Sequence, residues 1–197
     1  MTVDFIGGLV CLDFANTVGP RRSRPGQAAV DYLGGPADLI AWCERAGTIG
    51  TNRARLLLRR AERHPAEAAA TLSRAVALRE AIHAVFAAIA DGEDPPAEAL
   101  AGLQHAYAEA MAHAELVPTP EGLDWSWAAS TDLDSLCRPI ARSAVETALT
   151  ADFGRIRKCP GHEGSCGWLF YDTSKNGSRR WCSMRACGTW EKTRRHG

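Results

Sequence analysis

The chain has 197 residues, 46% of them hydrophobic, with 23 Lys and Arg against 23 Asp and Glu and an odd number of cysteines, seven. That length and apolar share support a globular body with a small appended module and exclude a disordered chain, and no stretch reaches the roughly 18 apolar residues of a membrane span. Asp4 and Asp13 bracket only eight uncharged residues, unlike a secretory leader, so a cytoplasmic protein with reduced thiols is expected rather than a disulfide framework.

Residues 5–18, FIGGLVCLDFANTV, predict a short strand that runs into a turn or helix start, with Cys11 in the core. Residues 19–27 hold Arg21, Arg22, Arg24 and two prolines and have loop composition. Leu39, Ile40, Trp42 and Cys43 make one face of a helix over 36–46, with Pro36 at its start and Gly47 as its stop. A second helix over 51–63 sets Leu56, Leu57 and Leu58 among five arginines, and Pro65 ends it or begins another. Over 66–90 the residues Leu72, Ala75, Leu78, Ile82, Val85, Phe86 and Ile89 step by three or four, the strongest helical period in the chain. A further helix is expected over 97–112. His83, His105 and His113 sit on these helices, but no spacing pairs them as ligands.

Residues 115–128 change character: Pro120-Glu121-Gly122 can turn, and Leu123, Trp125 and Trp127 alternate with polar neighbours, which predicts a hairpin. The two tryptophans either cover the sheet or line a small-molecule pocket. Helical spacing resumes over 132–149 and is interrupted by Pro139, as a kink or as two successive helices. The fold class expected is α+β, a mainly helical body over 1–152 with a small antiparallel sheet and a separate module over 153–197.

That module carries Cys159, Cys166, Cys182 and Cys187, in pairs separated by six and by four residues with fifteen between the pairs. Such spacing suits one Zn²⁺, and four thiolates complete a tetrahedral shell with no position open for a catalytic water, which argues for a structural ion and against a zinc hydrolase. A knuckle over 159–167, a strand over 168–171, a turn, a returning strand over 179–181 and a helix capped by Ser183 make a treble-clef arrangement. Residues 155–197 hold ten Lys and Arg against three acids, +7, and the remainder of the chain is −7. A positive module on a negative body points to a polyanionic partner, nucleic acid first, and fixes which face approaches it.

The run WLFYDTSKNGSRRWCSM with Cys187-Gly188 closely resembles the CGNR zinc-finger family of bacterial proteins, and FIGGLVCLDFANTV with residues 139–144, PIARSA, resembles the ABATE domain that precedes this finger. The resemblance implies an α+β ABATE domain, a zinc finger and a role in transcription regulation. Thr189-Trp190 stands where the family has Asn-Arg, so a contact made through that arginine is lost here, and Trp190 is expected to pack under the finger or to stack on a base. The interval from Cys159 to Cys166 is longer than the family's, which makes His162 the rival ligand; Cys166 is preferred because Gly167-Trp168 matches the knuckle.

On this reading Arg179, Arg180, Arg185, Lys192, Arg194 and Arg195 contact DNA. Asp13, Asn16, Arg21 and Arg142, with Thr17 and Arg22, either bind a small effector or knit the body together, Asp13 by pairing with an arginine. Two alternatives stay open: a finger that docks on protein, or an enzyme with its site in the larger domain, although no cluster has catalytic spacing.

Overall fold

The computed structural model describes residues 3–22, 28–161 and 164–189. The first element is a helix, α1 (Val10–Ala15), which supplies the expected helix start, but among the described residues no strand precedes it. Five of its six residues are buried, Asp13 among them, and so short a run buried on every side has no periodicity to separate helix from strand. Two-residue strands β1 (Val18–Gly19) and β2 (Val30–Asp31) then pair antiparallel.

Helix α2 (Pro36–Arg45) starts on its proline and turns Leu39, Ile40, Trp42 and Cys43 inward. Helix α3 (Thr51–Arg63) buries Ala54, Leu57 and Ala61 and leaves its arginine-rich side outside. Pro65 opens α4 (Pro65–Asp91), the 27-residue axis of the body, against which α1, α2, α3 and α5 (Ala97–Ala112) pack. Gly92 ends α4 at φ 75°, a left-handed conformation in which the Gly92 and Glu93 N–H groups donate to the Ile89 and Ala88 carbonyls.

Strands β3 (Glu115–Thr119) and β4 (Gly122–Ser126) form the expected hairpin, with Leu116 opposite Trp125. The tryptophans part company: Trp125 is 37% exposed, whereas Trp127 is buried with its indole N–H donating to the Ala110 carbonyl at 2.7 Å. A 3₁₀ turn (Leu133–Leu136), capped by Asp132, precedes α6 (Arg138–Thr150), so Pro139 lies in the first turn of a second helix and kinks nothing.

The last sheet departs from the sequence reading. Strand β6 (Leu169–Tyr171) pairs with the upstream β5 (Ile156–Lys158), and residues 179–181 form no strand. Asp172 is the cause: its buried carboxylate accepts the Ser174 N–H and the Arg179 N–H, both at 2.8 Å, and this folds the intervening segment into turns. Ile156 and Leu169 sit in the core of the helical body, while Cys159, Phe170 and Cys182 form a small core of their own. The chain is thus mainly helical with small antiparallel sheets. No described helix is long and apolar enough to cross a membrane.

Candidate metal centre

The cysteine loop continues the β5–β6 ladder. Cys159 donates its N–H to the Trp168 carbonyl at 2.8 Å and accepts the Gly167 N–H at 3.0 Å. Between them the chain turns at Gly161, whose φ is 57°; a Cβ there would stand 2.5 Å from the Cys166 nitrogen, so the turn closes only around glycine. Of the second pair, Cys182 precedes a one-turn helix (Met184–Gly188) and Cys187 lies on it, where Cys187 and Gly188 donate N–H groups to the Ser183 carbonyl at 2.9 and 3.0 Å.

The four sulfurs lie within 4.8 Å of one another, with Cys166 and Cys182 at 3.7 Å and Cys182 and Cys187 at 3.6 Å. A disulfide needs about 2.05 Å. Ligands about 2.3 Å from a tetrahedral Zn²⁺ stand about 3.8 Å apart, which is the spacing seen. Donor type, number and spacing therefore all fit one structural Zn²⁺. Within the cluster the thiols share protons: the neighbouring cysteine side chains, Cys166 foremost, lower Cys159, and Cys159 in turn raises Cys166 and Cys182. Outside it no such sharing occurs, and burial raises Cys11 and Cys137 and pushes Cys43 up to about 12, as for packing thiols.

Arg179, named from the sequence as a phosphate contact, braces the centre from inside. Its guanidinium donates to the carbonyls of Cys182 at 2.6 Å, Ile6 at 2.8 Å and Trp181 at 3.1 Å, and lies 4.4 Å from the centre of the Phe170 ring. Arg155 is likewise held by the Asp172 and Ser174 carbonyls, and Lys158 by Asp91. Arg157, Lys175, Arg180 and Arg185 are exposed and form no ion pair among the described residues. His162, Trp190, Lys192, Arg194 and Arg195 lie outside the described residues.

The zinc-finger model named CGNR matches residues 155–197, and a family model named ABATE, described as "Putative stress-induced transcription regulator", matches residues 8–152. The chain belongs to the ABATE family. Its C-terminal module is a CGNR zinc finger that binds Zn²⁺ through the four clustered cysteines. No curated protein matches the chain.

Four of the polar residues singled out near the ABATE motifs lie at or near the seam with the finger. Asn16, fully buried, donates its amide to the Leu169 carbonyl at 2.8 Å and accepts the Leu169 N–H at 2.9 Å. Among the described residues Asp13 forms no ion pair with an arginine; it accepts the Gly7 N–H at 2.6 Å, and burial raises its carboxyl above the usual range. The Arg21 side chain donates to the Ala15 carbonyl at 2.5 Å and pairs with Glu80, while the Arg21 and Arg22 N–H groups donate to the knuckle carbonyls of Cys166 and Ser165. Arg142 stands apart, on the wall of an ABATE cavity of about 570 Å³, between Asp124 and Glu146.

Other seam residues carry weak signals in the sequence. Arg79, 3% exposed, forks onto both Asp31 oxygens at 2.7 and 2.9 Å and also reaches Glu80. Its position was readable, because it falls on the same stripe as Ala75, Leu78, Ile82 and Phe86. His83, one turn on, donates from Nε2 to the Gly167 carbonyl at 3.1 Å and is lowered to about 4, chiefly by burial and then by Arg21. The Trp168 indole donates to the Val18 carbonyl at 2.8 Å. Nothing local marks these last two bonds, since their partners lie far along the chain.

Proposed function

We propose that this ABATE protein is a DNA-binding transcription regulator whose CGNR finger is the docking surface. The observation that carries the reading is the division of labour among the finger's cations. Arg155, Lys158 and Arg179 are tied to the protein itself, and Arg157, Lys175, Arg180 and Arg185 are exposed without acidic partners among the described residues. Free cations on a zinc-stiffened frame are what phosphate contact requires, and the acidic remainder of the chain orients the approach. Lys192, Arg194 and Arg195 extend the same set by charge. Reduced thiols at the centre agree with a cytoplasmic setting.

The test is a gel-shift titration of the zinc-loaded chain against duplex DNA across a salt series. Affinity is expected to fall with a log–log slope of about −3 to −5, corresponding to four or five phosphate contacts. Binding that ignores salt, or that a chelator leaves unchanged, overturns the reading.

A second element of the proposal is that the ABATE body responds to a small ligand. It is favoured by the cavity beside Arg142, whose volume is in the range of small-molecule sites.

A further inference from the structure

The cavity lies among Leu9 just ahead of α1, the start of α3, strand β4 and α6, and its walls divide by chemistry. Trp125 and Trp127 supply flat apolar surface at its rim, one indole half-exposed and the other fixed by its bond to Ala110. Arg53 supplies a cation. Its Nη2 donates to the Ser135 hydroxyl at 2.8 Å, its Nε is buried without a hydrogen-bond partner, and no carboxylate forms an ion pair with it among the described residues. The acid nearest in influence, Asp132, is held by Arg138 at 3.1 Å. Arg142 supplies the opposite case: a single guanidinium with Asp124 at 2.5 Å and Glu146 at 2.7 Å.

A partly buried guanidinium stays charged and lacks only its counter-ion, which a carboxylate matches through paired N–H···O bonds. The wall with two carboxylates to one arginine repels a second negative charge and accepts hydrogen-bond donors. The indoles favour a planar apolar body between these two ends. We propose that the cavity is an effector site for a small planar monocarboxylate, with its carboxylate on Arg53, its ring against Trp125 and Trp127, and a donor group toward Glu146 and Asp124. The proposal rests on the ligand-responsive element of the reading above and is independent of DNA binding.

Calorimetric titration of the zinc-loaded full chain with 4-aminobenzoate tests it, alongside benzamide, terephthalate and inorganic phosphate. One equivalent of 4-aminobenzoate is expected to bind, with benzamide and terephthalate weaker by about tenfold or more, because one lacks the charge and the other adds a second. Phosphate, without a ring, is expected not to compete. Arg53→Gln should weaken 4-aminobenzoate by about tenfold at unchanged zinc content and helicity. Should that variant misfold, Trp125→Leu, on the exposed hairpin, should weaken the same probe through lost stacking. Failure of 4-aminobenzoate to bind, equal affinity for benzamide, displacement by phosphate, or indifference to both substitutions overturns the site. None of these outcomes bears on the gel shift, so the two readings fail separately.

Discussion

Asn16 and Leu169, 153 positions apart, are joined by two hydrogen bonds, the side-chain amide of one closing on both backbone groups of the other at 2.8 and 2.9 Å. Because both residues are fully buried, the ABATE body and the CGNR finger meet here with no water to take over either bond.

Asn16→Ala leaves the backbone groups of Leu169 short of a buried partner. A loss of about 2–4 kcal/mol is expected, seen as a lower urea midpoint at unchanged slope. A variant within about 0.5 kcal/mol of the parent would show that the seam is not held by this amide.

Removal of zinc reaches beyond the finger. Structural zinc sites contribute on the order of 10 kcal/mol, and strands β5 and β6, tied to this one, place Ile156 and Leu169 in the helical core. Chelation or Cys182→Ser should abolish zinc retention and loosen the finger. Helicity should persist at 25 °C, but the melting temperature of the helices should fall. Helices that melt at the same temperature with and without metal would contradict this.

His83 gives the seam a pH dependence. Its folded pKa of about 4 lies below the unfolded 6.5, so the native state disfavours the proton that the unfolded chain takes up. The stabilisation from neutral His83 is complete above about pH 6.5 and is lost as pH falls toward 4, by up to about 3 kcal/mol. Comparing the parent with His83→Gln at pH 7 and pH 5 isolates this share from zinc release. The parent should lose more stability than the variant, and equal losses would remove His83 from the account.

Arg179 and Arg180 are neighbours with opposite expected phenotypes. Arg179→Ala removes three bonds to carbonyls around the centre and should lower stability and zinc retention. Arg180→Ala and Arg185→Ala should leave the melting temperature in place, weaken DNA binding across sequences and reduce the salt slope by about 1 each. A stable Arg179→Ala finger with weakened DNA binding would reverse the assignment.

The sequence shows most clearly what is locally encoded. Helices α3 and α5 match their expected ranges because apolar period and proline punctuation act within one segment, and the hairpin followed from alternation and a turn. The metal ligands were readable for the same reason, since their chemistry lies in residue type and spacing. The pairing of β5 with β6 was not, because it depends on Asp172 folding the downstream segment into turns. Nor was the function of Arg179, which resembles its neighbour Arg180 in sequence and differs only in having Phe170 and three carbonyls within reach.

Ile156 and Leu169 follow α6 in the order of synthesis, yet they complete the core that the earlier helices enclose. A nascent chain that has emerged through α6 therefore still exposes two unfinished walls. Closing them is tied to capture of the ion, so a chain made in zinc shortage would keep its helices but hold them less firmly, along with a loose finger.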